Sequence, residues 1–218
     1  YKFVEWKTDQ RIVLEANPDY WEGKPHVHRF VLKIIPDQSS EFLSLLKGEI
    51  DAMGAWTSGG MTPEQYAKQS GQRKFTDRYR KFQTDQLAYT YIGWNMDRPM
   101  FKDKRVRGAL TMALDRQAIV DNVLYGLGSV CTGPFASASW AYNHKVRALP
   151  YDPEGAKALL ALAGWKDTDG DGLLDRDLNA DGKREAFKFT LITNQGNVSR
   201  ERVATIAQEQ LKSIGVQV

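Results

Sequence analysis

The chain is short of the residues that usually mark chemistry or compartment. A single cysteine, Cys131, excludes an intrachain disulfide and leaves the compartment unreadable from thiols. Without a local basic partner, that thiol reads as a buried or tolerated side chain and not as a nucleophile. The only histidines are His26, His28 and His144. His26 and His28 share one face of an expected strand, but Lys24 and Arg29 flank them and no third ligand stands near, so a surface strand is the better reading. No Ser/His/Asp order, nucleophile elbow, phosphate loop or zinc spacing occurs. No carboxylate pair sits in the apolar setting that acid–base work needs. These absences argue against an enzyme. No apolar run reaches the length of a membrane span, and no signal sequence is present.

Charge of neither sign dominates. The 30 basic and 27 acidic residues leave a formal charge of +3 and are interleaved, which excludes a nucleic-acid stripe. The one basic cluster, Arg73 to Lys81, alternates with Phe75 and Tyr79 and reads as a half-exposed strand. At 218 residues, with 42% apolar and 26% charged, the chain has ample material for a buried core.

The first third reads as strands and turns. Lys2–Lys7 and Gln10–Ala16 pair across Thr8-Asp9, and His28–Ile35 forms a third strand. A helix over Ser39–Leu46 takes Asp37 or Ser39 as N-cap and Gly48 as its stop. A strand at Glu49–Met53 and a flexible loop at Trp56–Met61 follow, then a short helix after Thr62-Pro63-Glu64. Strands over Arg73–Lys81 and Tyr89–Met96 complete this region. Beyond Asp103 the pattern turns helical, over Lys104–Leu114, Arg116–Tyr125 and Asp152–Ala163. Between these lies a long Gly/Ser/Pro loop, Gly126–Trp140, of the kind that is usually functional or disordered. A strand at Phe187–Thr193, a helix at Ser199–Ser213 and a strand from Val216 make one βαβ unit.

The most informative segment is Tyr91-Ile-Gly-Trp-Asn95 followed by Phe101-Lys-Asp-Lys-Arg-Val-Arg107-Gly-Ala-Leu-Thr-Met-Ala-Leu-Asp115-Arg116. Read physically, it is an aromatic strand with Ile92 and Trp94 on one face, then an amphipathic helix burying Val106, Ala109, Leu110, Ala113 and Leu114. As a string it resembles the central signature of the extracytoplasmic solute-binding proteins of peptide and nickel ABC transporters, family 5. Further blocks carry the same resemblance in order: Ile12-Val-Leu-Glu-Ala-Asn-Pro-Asp-Tyr-Trp21, Ile34-Ile-Pro-Asp37 with Lys47-Gly-Glu-Ile-Asp51, Tyr151-Asp-Pro-Glu154 through Ala163-Gly-Trp165, and Ile214-Gly-Val-Gln-Val218.

The resemblance implies an α/β fold of the two-lobed periplasmic binding protein type (class II), with both lobes incomplete here. Residues 1–86 would belong to a first lobe and 87–218 to a second, helix-rich lobe that carries an acidic hairpin at 166–186. The chain starts and stops inside strand patterns and so reads as an excised piece. The implied function is capture of oligopeptides or a similar small solute in a cleft between lobes, for presentation to the membrane permease subunits of an ABC transporter. The implied location is periplasmic, or extracytoplasmic and membrane-anchored. No cofactor is required on this reading, and no nucleic acid is bound. Exposed apolar surface would let the piece self-associate.

Two loops are candidate sites. Thr193-Asn194-Gln195-Gly196-Asn197 lies between a strand end and a helix start, where α/β sheets present ligands, and its amides both donate and accept. A simple cap of the following helix is the competing reading. The resemblance implies that this loop faces the cleft. Phe135 and Trp140, with Tyr142, stand in the long Gly/Ser loop as pocket walls or loop anchors. Trp94 and Tyr91 are assigned to core or hinge. The acidic run Asp167-Thr-Asp169-Gly-Asp171-Gly172 with Asp175 has the early spacing of a calcium loop, and Asp177 to Glu185 repeats it. Neither run has the Glu at its twelfth position. A solvated hairpin with Asp-Gly turns is therefore weighed against Ca²⁺, and the family resemblance favours the hairpin. The alternative function that follows is a calcium-dependent structural or interaction module.

Overall fold

The computed structural model describes residues 1–54 and 60–218, so most of the loop expected at Trp56–Met61 lies outside the described residues. The chain divides into two compact units, residues 1–62 and 63–218.

The first unit is a three-stranded antiparallel sheet, β1 (Lys2–Lys7), β2 (Arg11–Glu15) and β3 (Arg29–Lys33), followed by helix α1 (Gln38–Lys47). The β1–β2 turn is as expected, with Asp9 taking a positive φ of 57°. Phe3 pairs with Leu14 and Trp6 with Ile12, and a bulge between Phe3 and Glu5 absorbs the odd spacing. That bulge keeps Phe3 and Trp6 on one face, where a regular strand would send them to opposite sides. Phe30 and Leu32, opposite Leu14 and Ile12, complete an apolar face. Asp37 caps α1 by accepting from Ser40 N at 2.8 Å, and Gly48 closes it at φ 77°, both at the expected residues. No strand forms over Glu49–Met53.

The second unit opens with a π-helical turn (Gln65–Gln69) and the short helix α2 (Arg73–Thr76). This corrects the strand expected over Arg73–Lys81. Asp77 N reaches Arg73 O at 3.0 Å and Tyr79 N reaches Phe75 O at 2.9 Å, so local bonds satisfy groups that a strand would leave to a neighbour. Phe75 is buried. The lobe boundary expected at residue 86 falls inside this unit. Arg202 donates to Glu64 at 3.2 Å, and the Lys68 ammonium lies 5.1 Å from the Tyr125 ring, which ties residues 64–68 to the helices that follow.

Those helices are α3 (Pro99–Lys102), α4 (Lys104–Met112), α5 (Arg116–Asn122) and α6 (Pro153–Leu162). Each of the last three is capped by an aspartate: Asp103, Asp115 and Asp152 accept from the backbone N–H of Arg105, Ala118 and Gly155. α4 packs against α6, and Val106, Ala109, Leu110, Ala156 and Leu160 are buried in a common core. This is the apolar stripe read from the sequence. Trp165 stacks on Phe187 with centroids 4.2 Å apart, and Phe101 meets Phe187, Phe189 and Trp94.

The segment Tyr89–Met96 joins no ladder among the described residues. Its alternation survives: Ile92 and Trp94 pack on the core while Tyr91 is exposed. β4 (Asp175–Asp177) and β5 (Arg184–Ala186) form the expected acidic hairpin. The expected βαβ unit is reduced to a parallel bridge between Lys188 and Gln217. Gln217 N donates to Phe187 O at 3.0 Å and Phe189 N to Gln217 O at 3.1 Å, flanking helix α7 (Val198–Lys212) in sequence.

Candidate ligand-binding site

The loop Thr193–Asn197 lies between the bridge at Lys188 and the first turn of α7. Its backbone turns sharply at Gly196, where φ is 83°, a conformation that glycine adopts without a Cβ penalty. Thr193, Asn194, Gln195 and Gly196 are exposed, and Asn197 is half-buried. Asn197 is the N-cap of α7, its Oδ1 accepting from Arg200 N at 3.0 Å. The capping role weighed for this loop thus belongs to its last residue. Asn194 Oδ1 accepts from Arg200 Nη1 at 2.7 Å. Gly196 N donates to Glu201 Oε1 at 3.2 Å. Arg200 and Glu201 brace the loop from the helix, a role not read from the sequence because their positions look like ordinary exposed helix residues. Gln195 is left with no hydrogen-bond partner among the described residues. Its amide is the loop's polar group most open to a ligand.

The long loop after α5 brings Phe135 and Tyr142 to the wall of a cavity of about 260 Å³, together with Thr132, Pro134 and Val146. Trp140 is 98% exposed and takes no part in that lining. Of the loop aromatics read as pocket walls or loop anchors, Phe135 and Tyr142 line this cavity and Trp140 does not. Cys131, within the same loop, is half-buried.

The acidic hairpin is held by its own backbone. Asp167 accepts from Gly170 N at 2.7 Å and, through its other oxygen, from Gly172 N at 3.0 Å. Asp177 repeats the second bond, accepting from Gly182 N at 2.9 Å. The two acidic runs fold alike, each aspartate closing onto the glycine five residues later. Asp167, Asp169 and Asp171 bring carboxylate oxygens within 4.8 Å of one another. Asp175, expected to join them, turns to the Thr168 hydroxyl and the Arg184 guanidinium instead. The Arg184 guanidinium, helped by Thr168, holds the Asp175 carboxyl below the usual carboxylate range. Backbone N–H groups, that of Gly182 first, do the same for Asp177.

The chain belongs to the bacterial extracellular solute-binding proteins, family 5: the model of the middle part of that family matches residues 1–218. The oligopeptide-binding protein AppA of Bacillus subtilis is 46% identical over 221 residues, covering 100% of this chain and 38% of that protein. The structure of that AppA in complex with a nonapeptide superposes with a TM-score of 0.81 at 43% identity, over 100% of this chain and 40% of the other. NikA from Brucella suis in complex with Fe(III)-EDTA superposes with a TM-score of 0.82 at 25% identity, over 100% of this chain and 41% of the other. The chain spans about two fifths of the length of these relatives. Its α/β fold is the one expected. No helix among the described residues is long and apolar enough to cross a membrane.

Proposed function

We propose that the protein to which this chain belongs captures oligopeptides outside the cytoplasm and presents them to the permease of an ABC importer. The observation that carries the reading is the exposed Thr193–Asn197 loop, with the unpartnered Gln195 amide, in a chain that superposes over its whole length on a peptide-bound relative. Amide groups that both donate and accept suit a peptide backbone, whose carbonyls and N–H groups are the same at every residue. Sequence-tolerant capture follows, because main-chain contacts give affinity without selecting a side chain. Ligand contacts made only in a closed form shift the population toward that form, which a permease can then recognise. The chain acts by binding and carries no catalytic group on this reading.

The test is ligand-observed saturation-transfer NMR on the 218-residue chain with a mixture of short peptides, a nickel–histidine complex and a disaccharide. Transfer to the peptides alone is the expected result. Transfer to the metal complex or the sugar without the peptides would overturn the reading. The calcium-dependent module has one supporting observation, the convergence of Asp167, Asp169 and Asp171. The diversion of Asp175 to Arg184 weakens it.

A further inference from the structure

The basic cluster from Arg73 to Lys81 is a charge feature that the peptide reading leaves unused. Residues 72–87 hold five basic side chains and two acidic ones, Asp77 and Asp85. That surplus equals the formal charge of the whole chain, +3, so the rest of the sequence is balanced. The net charge of this protein is therefore a local property, carried by one short segment.

The turns that replace the expected strand sort this segment by polarity. Phe75 is buried and Tyr79 half-buried, their rings 5.1 Å apart, while Arg73, Arg78, Arg80 and Lys81 are exposed. Asp77 lies 3.6 Å from Arg73 in an exposed pair that water screens. The Arg78 guanidinium lies 5.3 Å from the Tyr79 ring. Lys81 Nζ lies 4.0 Å from the Tyr66 ring and donates to Tyr66 O at 3.3 Å. These rings and the carbonyl are neutral, so they orient cations without cancelling their charge. The Arg80 side chain has no ion-pair or hydrogen-bond partner among the described residues. Gln83 is tethered as Lys81 is, its Oε1 accepting from the Tyr66 hydroxyl at 3.3 Å. Phe82, between these two tethered residues, is 81% exposed.

We propose that residues 73–82 form a docking surface for a lipid bilayer with anionic headgroups, the exposed cations meeting the phosphates and Phe82 entering the boundary between headgroups and acyl chains. Basic side chains beside an exposed aromatic supply both parts of interfacial binding: attraction to the charged surface, and an apolar group to bury there. The sign of the cluster selects an anionic surface. Phe82 selects a bilayer over a soluble polyanion, which offers an aromatic ring no hydrocarbon. Each basic residue near such a surface contributes about fivefold in partitioning, and the attraction fades within a Debye length. The contact is therefore reversible and salt-sensitive. No residue of Thr193–Asn197 belongs to it, so it stands or falls apart from the peptide reading.

The experiment is co-sedimentation of the 218-residue chain with vesicles of phosphatidylcholine alone and of phosphatidylcholine with one third phosphatidylglycerol. The expected result is partitioning at least about tenfold stronger to the anionic vesicles, falling severalfold as salt rises from about 0.05 to about 0.5 M. Arg80→Gln should weaken it by about fivefold and Arg80→Glu by about twenty-five-fold, one factor for each unit of charge. Phe82→Ser should weaken it at both salt concentrations, because the apolar part is not screened. Lys212→Gln removes the same charge from an exposed residue at the end of α7 and should change nothing. Equal partitioning to the two vesicles would overturn the proposal. So would equal losses in Arg80→Gln and Lys212→Gln, which would mean that net charge alone is read. Binding to soluble linear polyphosphate with none to the anionic vesicles would overturn it too, in favour of a polyanion in solution.

Discussion

Arg200 Nη1 lies 2.7 Å from Asn194 Oδ1, a charge-assisted bond from the first turn of α7 back to the loop that precedes it. Of the two amides in the middle of the loop, Asn194 is therefore engaged through its oxygen, and Gln195 is left open. Gln195→Ala is expected to weaken peptide binding by ~1 kcal/mol, the usual size of one neutral hydrogen bond, with the melting temperature unchanged. Asn194→Ala and Arg200→Ala are expected to be non-additive in affinity, because each removes the same bond. Calorimetric or NMR titration of the single and double variants with one nonapeptide measures this. Full additivity would mean that the bond does not form in solution.

Asn197 has a structural task. Its Oδ1 satisfies Arg200 N, one of the helix's unpaired N-terminal donors. Asn197→Ala is expected to destabilise the chain by ~1 kcal/mol, and Asn197→Gly by only a few tenths. Urea midpoints of the two variants decide it. Equal losses for alanine and glycine would show that the cap contributes nothing.

The acidic hairpin should be indifferent to calcium and sensitive to acid. Its carboxylates already accept from Gly170, Gly172 and Gly182, so millimolar Ca²⁺ or a chelator should leave the thermal midpoint where it is. A clear rise with Ca²⁺, lost in Asp169→Asn, would support the ion instead. Asp175 and Asp177 are both held below the ordinary aspartate range, by Arg184 and by the Gly182 N–H respectively. Their stabilisation is fully present above the unfolded-state value of about 3.9 and is lost as pH falls through the lower folded-state values. Amide exchange at 175–186 should therefore speed up on acidification, and more gently in Asp175→Asn, which has no charge to lose. Exchange that is flat with pH after correction for its intrinsic rate would contradict this.

Phe3 and Trp6 share a sheet face and are 65% and 64% exposed. An apolar face of this kind favours association. Light scattering is expected to show a concentration-dependent increase in mass, reduced in the Phe3→Ser, Trp6→Ser double variant. A monomer at every concentration would contradict the expectation.

What the sequence revealed was what local chemistry decides. The aspartate cap of α1, the stop at Gly48 and the stripe from Val106 to Leu114 are written within a few residues of where they act, and each could be read. The segments that failed depend on distant partners. Tyr89–Met96 alternates like a strand, but a ladder needs a second strand beside it, which no local pattern reports. Arg73–Tyr79 alternates as well, and its backbone instead closes local turns around the buried Phe75. The site divided in the same way. The turn at 193–197 was legible because its glycine and the helix start are contiguous. The Arg200–Asn194 brace and the full exposure of Trp140 depend on side-chain directions that residue type does not encode.

The central claim is that peptide is held at the Thr193–Asn197 loop. Its most direct test is photo-crosslinking with a nonapeptide carrying one photoreactive apolar residue, followed by mass-spectrometric mapping of adducts on the 218-residue chain. Adducts concentrated at residues 193–197 are the predicted result. Adducts confined to the β1–β3 sheet or the acidic hairpin, or scattered over the surface without saturation, would contradict the account.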